Sequence, residues 1–95
     1  GPCRKARYRV SFSGNIELPT GGTPAPISIS IHLDGESLPE TEMIVTPANA
    51  EEFFNVHSET FIEMAPATSS TLSVTNTSGV TIQVQNANLI VERVA

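Results

Sequence analysis

The sequence is poor in the groups that most often mark a catalytic or ligand-stacking protein. It has no tryptophan and one tyrosine, and aromatic residues make up 5% of its 95 positions. An aromatic platform for stacking sugars or bases has little to be built from. The single cysteine, Cys3, rules out an internal disulfide, and with it a small domain stapled by cross-links. Between Arg9 and Arg93 there is no basic residue, and all 10 carboxylates fall in that interval. Such an acidic body repels phosphate backbones, which argues against nucleic acid as a partner. No run of about 18 apolar residues is present, so no segment reads as a membrane-spanning helix. No signal peptide opens the sequence either, which says little if the chain is a fragment of a longer protein.

Catalytic constellations are equally thin. His32 and His57 are the two histidines available as bases, both fall on faces that read as outward, and no G-x-S-x-G elbow or comparable motif stands near them. The expectation is a protein that is not an enzyme and needs no cofactor.

What is present is alternation. Tyr8, Val10, Phe12, Ile16 and Leu18 share one face of a first strand, with Arg7, Arg9, Ser11, Ser13, Asn15 and Glu17 on the other. A side-chain period of two is what a strand with one buried face requires. Gly14 falls on the apolar face, where a missing side chain marks a bend, a bulge or a close approach by another strand. Residues 19–26 hold three prolines and two glycines, which end the strand and form a loop. Residues 27–34 alternate strictly, with Ile27, Ile29, Ile31 and Leu33 inward, and Asp34-Gly35 supplies a turn. A third strand at 42–46 has Met43 and Val45 on one side and Ile44 on the other. In the longest clean stretch, 53–64, Phe54, Val56, Thr60, Ile62 and Met64 point one way, and Asn55, His57, Glu59 and Glu63 the other. Short strands follow at 71–76, around Val80, Ile82 and Val84, and at 88–94. The last is apolar on both faces, Leu89 and Val91 on one and Ile90 and Val94 on the other, which implies two coverings.

About seven to eight strands, turn residues every eight to twelve positions and no helical window predict an all-β fold, a compact antiparallel β-sandwich or jelly roll. Residues 1–6 read as a tail and 7–95 as one domain. Gly1-Pro2-Cys3 is either the scar of a removed tag or the last triplet of a collagen-like stalk. A chain this short hides about 65% of its unfolded surface, so subunit contacts are expected to help stabilise it.

Two groups of residues stand out as candidate sites. His32 with Asp34, and His57 with Glu59, are pairs two apart on one face, and would form a zinc or copper site if their strands were neighbours. Their plain reading is a solvated sheet surface. Glu51-Glu52 and the Glu36, Glu40, Glu42 group lack the spacing of a calcium loop and read as solvated loops. Asn76-Thr77-Ser78 fits a glycosylation sequon and equally a polar turn. The second group is Ile44, Phe53, Phe61, Ile90 and Val94, large apolar residues on faces otherwise polar. Each alone fits under a loop of its own chain, but five together favour a subunit interface. Burying one such side chain contributes ~1.5–3 kcal/mol.

The segments Tyr8-Arg9-Val10-Ser11-Phe12-Ser13-Gly14, residues 29–39 (ISIHLDGESLP), residues 72–79 (LSVTNTSG) and residues 86–94 (NANLIVERV) together resemble the compact C1q/TNF-like jelly rolls. These cap bacterial collagen-like surface proteins of the exosporium type and some phage fibre proteins. The resemblance covers nearly the whole chain from Tyr8, although the chain is shorter than eukaryotic members and its 18–26 loop is unusually rich in proline and glycine. It implies a homotrimer with the first and last strands adjacent near the three-fold axis, and inter-chain ion pairs among Arg7, Arg9 and Glu92. The function it implies is a non-enzymatic trimerisation and adhesion head, extracellular, on a bacterial surface or virion, with loops available to a host glycan or receptor. The alternative is a monomeric carbohydrate-binding or Ig-like sandwich module of a secreted multidomain protein.

Overall fold

The computed structural model describes residues 5–65 and 69–95; the expectations attached to Gly1, Pro2 and Cys3 lie outside them. Among the described residues seven strands follow in order, β1 Ala6–Glu17, β2 Ile27–Leu33, β3 Glu36–Ser37, β4 Met43–Val45, β5 Phe54–Met64, β6 Leu72–Asn76 and β7 Gln83–Arg93. A 3-10 turn, Pro39–Thr41, sits between β3 and β4. The chain is all-β, and every pairing is antiparallel.

One sheet has three strands in the order β5-β1-β7. The other is built on β2. Ile29 faces Met43 of β4 on one edge and Asn76 of β6 on the other, while Leu33 faces Glu36 of β3 and Leu72 of β6. A residue in a ladder has only two edges, so β3 and β4 lie in line along one side of β2 and β6 occupies the other. The two sheets stack through Val10, Phe12 and Ile16 of β1, Ile27, Ile29 and Ile31 of β2, Met43 of β4, and Val56 and Ile62 of β5, all buried. These are the alternate positions of each strand, so the inward faces follow from the period of two.

The sequence places a strand around Val80, Ile82 and Val84 and another at 88–94; the structure has one strand here, β7, which takes in Val84 and residues 88–93 and leaves Val80 and Ile82 in the connection before it. The register against β1 slips between Ser13 and Asn15, whose partners are Asn88 and Gln85. The extra residue is absorbed at Asn86, which adopts a left-handed φ of 56°, a conformation asparagine tolerates better than most side chains. Gly14 lies opposite this bulge. A Cβ there would sit 3.1 Å from Phe12 Cζ and 3.4 Å from the Ala87 Cα, so the close approach read from the sequence is present.

Apart from the 38–42 link, which lies beside the middle of β2, the connections between the described strands sort to two ends. Arg7 N–H donates to the Ala95 carbonyl and Val94 N–H to the Arg7 carbonyl, while Asp34 N–H donates to the Thr71 carbonyl. The start of β1, the end of β7, the Asp34-Gly35 turn and the entry to β6 share one end. At the other, Glu51 N–H donates to the Leu18 carbonyl at 2.8 Å, which brings together the connections 18–26 and 46–53, and β7 begins beside Glu17. The sandwich is elongated, 55 × 19 × 17 Å with a radius of gyration of 15.4 Å, against about 12 Å for a compact chain of this length.

Candidate functional site

The outward face of the three-stranded sheet is the largest surface with a mixed chemical character. Antiparallel partners place side chains on the same side of a sheet. Reading across β5, β1 and β7 gives Phe61, Arg9 and Glu92, then Glu59, Ser11 and Ile90, then His57, Ser13 and Asn88. Arg9 lies at the centre. Its Nη1 is 2.8 Å from Glu59 Oε2 and its Nε is 3.2 Å from Glu92 Oε1. Donation to Glu59, then to Glu92, raises the Arg9 pKa above its ordinary value. A group with a raised folded-state pKa gives up its contribution only as pH climbs through that value, so this pair is constant across the neutral range and lost in strong alkali. Next to it the Arg7 guanidinium sits 4.4 Å from the centroid of the Phe61 ring, a cation–π contact.

Arg9 and Glu92 pair within one chain, because β1 is hydrogen-bonded directly to β7 with the two residues opposite each other, and Arg7 contacts Phe61 of that same chain.

The five apolar candidates are all exposed: Ile44 61%, Phe53 40%, Phe61 47%, Ile90 45% and Val94 44%. Phe61 and Ile90 share the outward face of the three-stranded sheet, and Val94 lies just past the end of β7. Ile44 projects from β4 beside the buried Met43, and Phe53 ends the connection into β5. Among the described residues no loop hides them. Three further apolar residues of β7 join them: Val84 at 43%, Leu89 at 37% and Val91 at 48% exposure. They do face inward, opposite Ile16, Phe12 and Val10, but the second sheet leaves them uncovered. The apolar character of both faces of residues 88–94 was the available signal for this.

The metal candidates are not brought together. His32 lies on β2 and Asp34 in the following turn, whereas His57 and Glu59 lie on β5 in the other sheet. Each is otherwise engaged or solvated: His32 Nε2 is 3.0 Å from Ser30 Oγ, Asp34 Oδ1 accepts from Thr71 N–H, and Glu59 holds Arg9. Among the described residues no three His, Cys, Asp or Glu side chains converge. The loop carboxylates bind their own chain: Glu40 accepts from Thr60 Oγ1, Glu51 from Thr20 Oγ1 and Glu52 from Ala48 N–H. Asn76 Oδ1 accepts from Ser78 N–H and its Nδ2 donates to the Val80 carbonyl, which is the chemistry of a self-bonded turn.

No protein-family model, curated protein or solved structure matches the chain.

Proposed function

We propose that the chain is a non-enzymatic self-assembling head, a homotrimer with a C1q/TNF-like jelly-roll arrangement, at the end of a fibrous protein on a bacterial surface or virion. The observation that carries this reading is β7, whose 11 residues are all exposed although Leu89, Ile90, Val91 and the neighbouring Val94 are apolar. A solvated strand of this composition is what an interface looks like before its partner is added. The segregation of the connections supports the same reading. With the start of β1 and the end of β7 at one end, copies assembled side by side turn that same end toward a stalk, and the 18–26, 46–53 and 77–82 connections stand at the other end to meet a receptor or glycan.

Sedimentation equilibrium on the purified chain tests this. The expected mass is three times the 10.1 kDa of one chain at micromolar concentration. A monodisperse monomer under those conditions overturns the proposal and favours the monomeric sandwich module.

A further inference from the structure

The outward face of the three-stranded sheet sets a phenylalanine among carboxylates at both of its ends, and the chain supplies a cation at only one. Toward the termini, Phe61 of β5, Arg9 of β1 and Glu92 of β7 lie side by side. There the Arg9 guanidinium holds Glu59 and Glu92, and the Arg7 guanidinium lies over the Phe61 ring. At the other end of β1, Glu17 faces Gln83 of β7. One step past the Ile16 and Phe54 pair, the same register brings Phe53 alongside Glu17. Glu17 is 5% exposed, the one buried carboxylate among the described residues, and Phe53 beside it is open to solvent. No hydrogen bond or ion pair among the described residues reaches the Glu17 carboxylate, yet neither of its oxygens is sealed off from water. A carboxylate covered to this degree ordinarily has a partner, because removing it from water is costly unless a donor replaces the solvent.

We propose that Glu17 and Phe53 receive an arginine side chain from a partner protein. The guanidinium lies over the Phe53 ring and donates to the Glu17 carboxylate and the Gln83 amide oxygen, as Arg7 and Arg9 do for the ring and carboxylates at the opposite end of the face. A planar cation with a fork of donors serves ring and carboxylate at once, which a lysine ammonium does less well. Charge points the same way. Glu51 and Glu52 lie in the adjoining connection, Glu51 N–H donates to the Leu18 carbonyl next to Glu17, and the connections 18–26, 46–53 and 77–82 bring no basic residue. An anionic rim of this kind attracts a basic partner and repels an acidic one. A second copy of the chain is a poor donor, since Arg7 and Arg9 are engaged as described and Arg93 Nε donates to the Ala95 carbonyl. The site lies at the end assigned to receptor contact, so the inference deepens that reading and rests on it for which way the end faces; the binding chemistry itself needs only one chain.

Magnetic resonance titration of the isotope-labelled chain with the peptide acetyl-Gly-Gly-Arg-Gly-Gly-amide tests the site. Saturable shifts are expected at Glu17, Phe53 and Gln83, and the same peptide with lysine for arginine is expected to bind several-fold more weakly. Glu17→Gln is expected to weaken binding about tenfold and Phe53→Leu several-fold. Because Glu17 has no bond of its own to lose, Glu17→Gln is also expected to unfold in urea no earlier than the unaltered chain; an earlier midpoint means that the carboxylate supports its own fold, and overturns the proposal. Equal binding of the lysine peptide, shifts spread over the other carboxylates, or no saturable binding overturns it as well. Methyl α-glucoside or calcium chloride producing the same local shifts where the arginine peptide does not overturns it in favour of a saccharide or cation site. If a variant misfolds, the comparison of arginine with lysine on the unaltered chain decides. Sedimentation of the same samples separates the two readings: a monomer that binds the arginine peptide removes the assembly and keeps this site, whereas a trimer without the local shifts removes the site alone.

Discussion

Thr41 has no freedom at all in this fold. It is completely buried, its Oγ1 accepts from the Ile31 N–H at 2.9 Å, and it donates to the Leu38 carbonyl at 2.7 Å. One hydroxyl thus joins the 3-10 turn to the centre of β2. Thr41→Val keeps the shape and strands the buried Ile31 N–H, which costs about 1–3 kcal/mol when left unpaired, while the Leu38 carbonyl keeps the Thr41 N–H. Urea unfolding is therefore expected to show a loss in that range for Thr41→Val and a much smaller one for Thr41→Ser. Nothing in Pro-Glu-Thr-Glu announces this role. Periodicity registers apolar side chains, and a buried polar group whose bonds are all internal has no period to read. Gly14 is the opposite case: a glycine on an apolar face already implied a close approach, and Phe12 and the Ala87 backbone supply it.

Strands with one buried face were readable because their alternation reports it directly. β1, β2 and β5 bury Val10, Phe12, Ile16, Ile27, Ile29, Ile31, Val56 and Ile62 as their parity said, but Ser11 and Glu17 of β1 and Ser28 and Ser30 of β2, on the opposite parity, are buried as well; Ile44 stands out of β4 while Met43 is buried. Two features had no such report. β3 is two residues long, too short to carry a period. The joining of the last two expected strands depends on Asn86 accepting a left-handed conformation, which lets the ladder run on through a polar stretch that reads as a break. That residue can be tested by itself. Asn86→Ala places an ordinary side chain at positive φ, at a cost of about 1–2 kcal/mol, whereas Asn86→Gly meets no such penalty. Thermal or urea unfolding of the two variants should separate them in that order, and equal stabilities would mean that the bulge relaxes without its left-handed residue. Alternation also shows which way a side chain points without showing how wide the opposing sheet is. That is why the covering expected over Leu89 and Val91 is missing, and they stand exposed together with Val84.

Width and end-to-end order belong to the whole molecule, and they decide what its surfaces can do. The paired His and carboxylate residues lie in different sheets, so a site that looked possible on separate strands never forms. Lys5, Arg7, Arg9 and Arg93 all lie toward the end that holds the termini, and the connections 18–26, 46–53 and 77–82 contain no basic residue. The far end is thus free of the ion pairs and of the β7 apolar residues 89–94 that the assembly is proposed to use. A flexible ten-residue Gly/Ser insert after Thr23, beyond the Gly22 N–H to Pro19 carbonyl bond, roughly doubles the β1–β2 connection. Loop-closure entropy puts the cost of doubling at about 0.6 kcal/mol. The insert is expected to lower stability by no more than about 1 kcal/mol and to leave the number of copies in the sedimenting particle unchanged. Dissociation of the particle by this insert would place the 18–26 loop within the contact between copies, and would move the subunit interface from the side of the sandwich to its distal end.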